Sequence, residues 1–195
     1  TLALKGYFPM EMLDTLNKPG TKLPSHCDMN RTPGIDMTTG SLGQGASSAM
    51  GIACANRLKG YENDTYLILG DGEIEEGQVW EAALFAAAKK LSHLIAFVDY
   101  NKAQIDNTPE ALCALGDVAK KFESFGWHAQ NVEDGNDVEQ IAAAIAKAKA
   151  EKDRPSVIVL NTVKGKGYSK IEGSLGSHNM PVNKELVEEA LAELA

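Results

Sequence analysis

Apolar positions along this chain alternate between two periods. Residues 65–69 and 94–98 are short, nearly continuous apolar runs closed by Gly70-Asp71-Gly72 and by Asn101. The first reads as a strand, and the second suits a strand buried on both faces of a parallel sheet. Between them, residues 79–91 carry Trp80, Ala83, Leu84, Ala87 and Leu91 at helical intervals, which completes a strand-helix-strand unit. Upstream, residues 43–58 place Ala46, Ala49, Met50 and Ala53 on one helix face, behind a short helix over 11–16 and a Pro- and Gly-punctuated loop over 21–39. Downstream, a loop or short helix follows Pro109, and a helix over 118–125 is stopped by Gly126. Residues 127–132 then read as an edge strand, and a helix capped by Asp137 points Val138, Ile141, Ala142 and Ile145 inward. A strand over 156–161 and an acidic amphipathic helix over 183–194, with Leu186, Val187, Ala190 and Leu194 on one side, complete the pattern. The alternation predicts an α/β fold: an open, mostly parallel sheet with helices on both faces, in one domain over residues 1–195.

Composition leaves that picture intact. The 195 residues are 44% hydrophobic and 24% charged, with a formal charge of −8, which disfavours a general nucleic-acid or anionic-membrane partner. No apolar stretch approaches the ~20 residues that span a bilayer, and no signal peptide opens the sequence, so a cytoplasmic setting is expected. Cys27, Cys54 and Cys113 lack the spacing of a zinc site or a disulfide framework.

Candidate chemistry gathers at the ends of the first two strands. If both are parallel, Asp71 and Asn101 deliver a carboxylate and an amide oxygen to one carboxyl edge, where open α/β sheets bind ligands. A hard cation such as Mg²⁺ accepts that oxygen set, completed by a backbone carbonyl and phosphate oxygens. Gly70 and Gly72 allow close backbone approach, and a helix starting near Gly77 would offer its positive end to a diphosphate. Plainer readings stand beside these. Asp71 suits a turn, Asn101 suits a cap, and Glu73 and Glu75 suit the positive end of the next helix.

Taken together, Gly70-Asp71-Gly72-Glu73-Ile74-Glu75-Glu76-Gly77, Asp99-Tyr100-Asn101-Lys102-Ala103-Gln104-Ile105-Asp106, the loop Thr38-Thr39-Gly40-Ser41-Leu42-Gly43-Gln44-Gly45 and the stretch Gly173-Ser174-Leu175-Gly176-Ser177-His178 resemble the thiamine-diphosphate enzymes, and among them transketolase. The resemblance implies the diphosphate-binding (PP-type) fold. It implies thiamine diphosphate and Mg²⁺ (or Ca²⁺ or Mn²⁺) as cofactors, with Asp71, Asn101 and the main-chain carbonyl of Ala103 as metal ligands. It also implies that Gly40 and Leu42 meet the aminopyrimidine, that Ile105 walls the thiazolium, and that Gly70 and Gly72 approach the diphosphate. His26, His178 and Glu76 carry over as catalytic residues, His178 and Glu76 also as cofactor contacts; the histidines would exchange protons with sugar hydroxyls. His93 and His128 carry no motif, and Lys164-Gly165-Lys166-Gly167 is expected to shape a lid over the cofactor.

The activity implied is transfer of a two-carbon ketol unit from a ketose phosphate to an aldose phosphate. Relatives draw on a pyrimidine-binding domain and on an upstream segment that this sequence does not show. The expectation is therefore an N-terminal subunit of a split transketolase, active with a C-terminal partner chain as a dimer of heterodimers. The alternatives are half of another thiamine enzyme (of the 1-deoxy-xylulose-5-phosphate synthase or 2-oxo-acid dehydrogenase alpha type), a non-catalytic assembly module, or a nucleotide-binding domain. The last lacks a Gly-x-Gly-x-x-Gly after its first strand.

Overall fold

A computed structural model describes residues 1–195. Four strands, β1 (Thr65–Gly70), β2 (Leu94–Asp99), β3 (His128–Val132) and β4 (Ser156–Leu160), form one sheet in the order β1-β2-β4-β3, and every pairing is parallel. Gly70 pairs with Asp99, and Asp99 with Leu160, so three strands end in one row.

Six α-helices accompany the sheet: α1 (Gln44–Leu58), α2 (Gly77–Ala88), α3 (Pro109–Leu112), α4 (Val118–Ser124), α5 (Val138–Ala150) and α6 (Lys184–Leu194). The chain leaves β2 through α4, skips one position to β3, and returns through α5 to β4. Because parallel crossovers are right-handed, reversing the direction of travel puts α5 on the opposite face. The two faces have separate cores as a result. Leu94, Ala96 and Val98 of β2 join α1, α2 and α4, whereas Ile95 and Ile158 meet Ala144 and Ala148 of α5.

The larger core is built on small residues. Ala46, Ala49 and Ala53 of α1 and Ala82, Ala83 and Ala86 of α2 are buried together, which lets the two helices approach each other and the sheet closely. Trp80, Phe122, Phe125 and Trp127 form an aromatic cluster at its end, and the buried Trp127 indole donates to the Ala83 carbonyl at 2.9 Å.

Inward faces differ from the sequence expectation in two helices. Leu84 is exposed, and the buried stripe of α2 is Val79, Ala82, Ala83 and Ala86, because a helix apolar on most sides hides which stripe meets the core. In α5, Val138 and Ala142 face outward and Ala144 and Ala148 are buried; the Asp137 cap holds as expected, accepting from the Glu139 and Gln140 amides. The second face of the sheet is only partly covered: Tyr66 and Ile68 of β1 are 49% and 74% exposed. Helix α6 buries none of its residues and is held by polar contacts, Tyr168 donating to Glu189 and Ser169 to Glu193. No helix is long and apolar enough to cross a membrane.

Ala86 is fully buried. Its replacement by Leu should therefore overpack the helix-sheet seam and cost about 1–3 kcal/mol, read as a lower urea midpoint at unchanged slope.

Candidate active site at the carboxyl edge of the sheet

Asp71 follows β1 directly and is 4% exposed. One carboxylate oxygen accepts from the Gly72 amide and the other from the Lys102 amide, both at 2.8 Å, so the side chain ties the end of β1 to the loop after β2. Burial pushes its proton affinity up, and the neighbouring Asp99 charge adds to that; the two backbone donors and Lys164 oppose it.

Asn101 stands across this tie. Its Oδ1 accepts from the Ala103 amide at 3.0 Å and its Nδ2 donates to Asp99 at 3.2 Å. Between them Lys102 adopts a left-handed backbone, φ 62°, which a side chain other than glycine's rarely takes. That turn sends the Lys102 amide to Asp71, leaving Asn101 and Ala103 on the wall of the same cleft.

The cleft is open, about 450 Å³, and is lined among others by Leu42, Asp71, Asn101, Ile105, Lys164 and His178. Lys164 reaches in from the loop after β4, donates to the Ala103 carbonyl at 2.9 Å and lies 3.5 Å from Nδ1 of His178. That carbonyl, the one implied as a metal ligand, thus already faces a positive charge. No three His, Cys, Asp or Glu side chains cluster as a metal site. One carboxylate, one amide and one carbonyl instead form an oxygen set suited to Mg²⁺ or Ca²⁺ when phosphate oxygens complete it. The residues present fit a cation and a diphosphate.

Of the residues expected at the site, Leu42, Gly70, Asp71, Gly72, Asn101, Ala103, Ile105 and His178 line this one cleft. Gly40 and His26 do not line it and pack against each other: a Cβ on Gly40, whose φ is 138°, would sit 2.3 Å from the His26 ring. Glu76 is exposed at the start of α2 and is not brought into the cleft. The start of α2 does not reach it either, because a 3-10 turn over Glu73–Glu75 precedes the helix and supplies the wall.

Two contributors stand out from their sequence readings. Glu73 braces two loops, accepting from Gly43 N at 2.9 Å and Gly70 N at 3.2 Å, where the sequence offered only a favourable charge near a helix start. Lys164 stands in the cleft itself, not merely in a lid segment. Its signal was the basic loop after β4. A separate polar cleft of about 410 Å³, lined by Arg57, His93 and Lys152, lies at the opposite end of the strands and shares no residue with this one.

Residues 1–194 match the family described as transketolase, thiamine diphosphate binding domain. The chain is 56% identical over 193 residues to the 6-deoxy-6-sulfo-D-fructose transketolase subunit SqwG of Clostridium sp. (strain MSTE9), covering 99% of this chain and 70% of that protein. It is 37% identical to an apulose-4-phosphate transketolase subunit from Actinobacillus succinogenes, covering 99% of this chain and 69% of that one. Among solved structures, a Pichia stipitis transketolase in complex with sedoheptulose-7-phosphate superposes with a TM-score of 0.89 at 34% identity, over 94% of this chain and 29% of that chain.

A cation at this site needs Asp71 ionised, and burial raises the pH at which it ionises. Divalent-metal affinity should therefore be full above the raised value and fall as pH drops through it, beginning at a higher pH than an exposed aspartate would require. Without metal the sign reverses. The fold binds the extra proton more tightly than the unfolded chain, so metal-free stability falls as pH rises between the ordinary and the raised value. Mn²⁺ titrations and thermal melts across that range check both slopes.

Proposed function

Since the chain belongs to the family of transketolase thiamine-diphosphate-binding domains, we propose that it is the diphosphate-holding subunit of a split transketolase, moving a two-carbon ketol unit from a ketose with a terminal anionic group, phosphate or sulfonate, to an aldose phosphate. One observation carries this reading: Asp71, Asn101 and the Ala103 carbonyl, from the ends of two paired strands, line one cleft with Lys164 and His178. Two relatives that it matches over 99% of its length are themselves named as subunits, which supports a partner polypeptide. That partner would carry the pyrimidine-binding half, and two such pairs would assemble as a dimer of heterodimers in the cytoplasm.

Each residue has a task within that reading. Asp71, Asn101 and the Ala103 carbonyl would hold Mg²⁺, or Ca²⁺ or Mn²⁺ in its place. Lys164 neutralises diphosphate charge once a metal takes over the carbonyl it now faces. Leu42 and Ile105, 56% and 66% exposed, offer apolar walls to the cofactor rings and lose that exposure when covered. His26 and His178 are of the residue type suited to hold or release a proton at sugar hydroxyls near neutral pH. Glu76, exposed at the start of α2, would meet a neighbouring protomer in that assembly. Bound thiamine diphosphate supplies the carbanion chemistry, while the protein supplies orientation and charge.

The 56% identity to a sulfofructose transketolase subunit, against 37% to an apulose-phosphate one, favours a donor with a terminal sulfonate in place of phosphate. Both are tetrahedral anionic groups that Lys or Arg recognises.

The full-length chain mixed with its partner, Mg²⁺ and thiamine diphosphate should give ketol transfer, whereas either chain alone should not. Turnover by this chain alone would sink the split-site reading. In the same assay 6-deoxy-6-sulfo-D-fructose should outperform fructose-6-phosphate; the reverse order would return the donor to the phosphate class. Asp71→Ala should weaken Mg²⁺-dependent cofactor binding beyond the ~10–100-fold typical of outer-shell partners.

A further inference from the structure

Asn101 presents two chemically opposite ends, an acceptor oxygen and a donor NH₂, of almost the same shape. Only one orientation serves a cation. In this structure Oδ1 accepts from the Ala103 amide and Nδ2 donates to one oxygen of Asp99, whose other oxygen accepts from the Thr162 hydroxyl. Turning the amide over would set its NH₂ against the Ala103 N–H and its oxygen against the Asp99 carboxylate. Two favourable contacts would become two repulsive ones.

Neither Asp99 nor Thr162 lines the cleft. Both are half-buried behind it, in the row where β2 lies between β1 and β4: Asp99 pairs with Gly70 on one side and Leu160 on the other, and Thr162 follows two residues after Leu160. We propose that Asp99, itself held by Thr162, is a positioning residue that locks the Asn101 amide with its oxygen toward the cation, so that a third strand takes part in the metal site without supplying a ligand. With Ala103 N–H on one lone pair of Oδ1, the second would remain for a metal. The proposal rests on the metal-diphosphate reading given above.

The test uses the full chain assembled with its partner and follows Mn²⁺ binding by electron paramagnetic resonance in the presence of thiamine diphosphate, with melting curves as a folding control. Failure of the unmutated complex to bind Mn²⁺ and cofactor would overturn the functional reading itself. Given that binding, Asp99→Ala should weaken Mn²⁺ by ~10–100-fold, the usual effect of an outer-shell partner. Asp99→Asn, which loses the charge but keeps an acceptor for Asn101, should stay within about threefold of the unmutated protein. In an Asn101→Asp background, where both ends of the side chain are oxygens, Asp99→Ala should no longer weaken binding. Equal losses in Asp99→Asn and Asp99→Ala would show that charge alone matters and overturn the proposal. So would an undiminished loss in the Asn101→Asp background. Should Asp99→Ala not fold, Thr162→Val decides: a folded variant with unchanged Mn²⁺ affinity overturns the proposal, and a several-fold loss supports it.

Discussion

The buried carboxylate of Asp71 is the contact on which the site depends. Accepting the Gly72 and Lys102 amides, it joins the ends of β1 and β2 at the edge where both strands stop. Two carboxylate oxygens meet two backbone donors, so the group is held in one orientation at a depth that disfavours its charge. In the proposed role, a bound cation would supply what burial removed. A lone carboxylate would then serve without three clustered acidic groups, which are absent.

Parallel pairing makes that geometry inevitable once the strands are in register. Gly70 opposite Asp99 and Asp99 opposite Leu160 bring the residues just past each strand into one neighbourhood, although they lie as much as 63 positions apart, as in the contact from Thr162 to Asp99. The right-handed crossovers then place α2 and α4 on one face, where α1 packs with them, and α5 on the other, leaving the carboxyl edge open. Fold and cleft follow from one topology. Family membership and superposition on transketolases at a TM-score of 0.89 agree with it.

Much of this was legible in the chain. Continuous apolar runs marked β1 and β2, Asp137 marked its helix start, and Gly-Asp-Gly with Asn101 marked two oxygen-bearing side chains that share a cleft. Helix faces were less legible. In α2 alanines surround Leu84, and periodicity cannot choose among stripes that are all apolar. The partners of long-range polar contacts were not legible: Glu73 binds an amide 30 residues upstream, and Lys164, though its basic loop was noticed, reaches a carbonyl 61 residues away. No local pattern encodes such distances. The placement of His26 and Glu76 outside the cleft has the same origin, since a motif fixes neighbours along the chain and not the partner surfaces that close a site.

Glu73 grips the amide of Gly43 with one oxygen and that of Gly70 with the other. Leu42 adjoins the first of these glycines and Asp71 the second, at the two ends expected to meet the ring and the pyrophosphate of an elongated cofactor. A single side chain therefore works as a caliper with a set opening. If those two ends hold the coenzyme as proposed, one whose head and tail are closer together or farther apart than that opening would match one jaw and miss the other, and molecular length would become a criterion of selection before any chemistry begins.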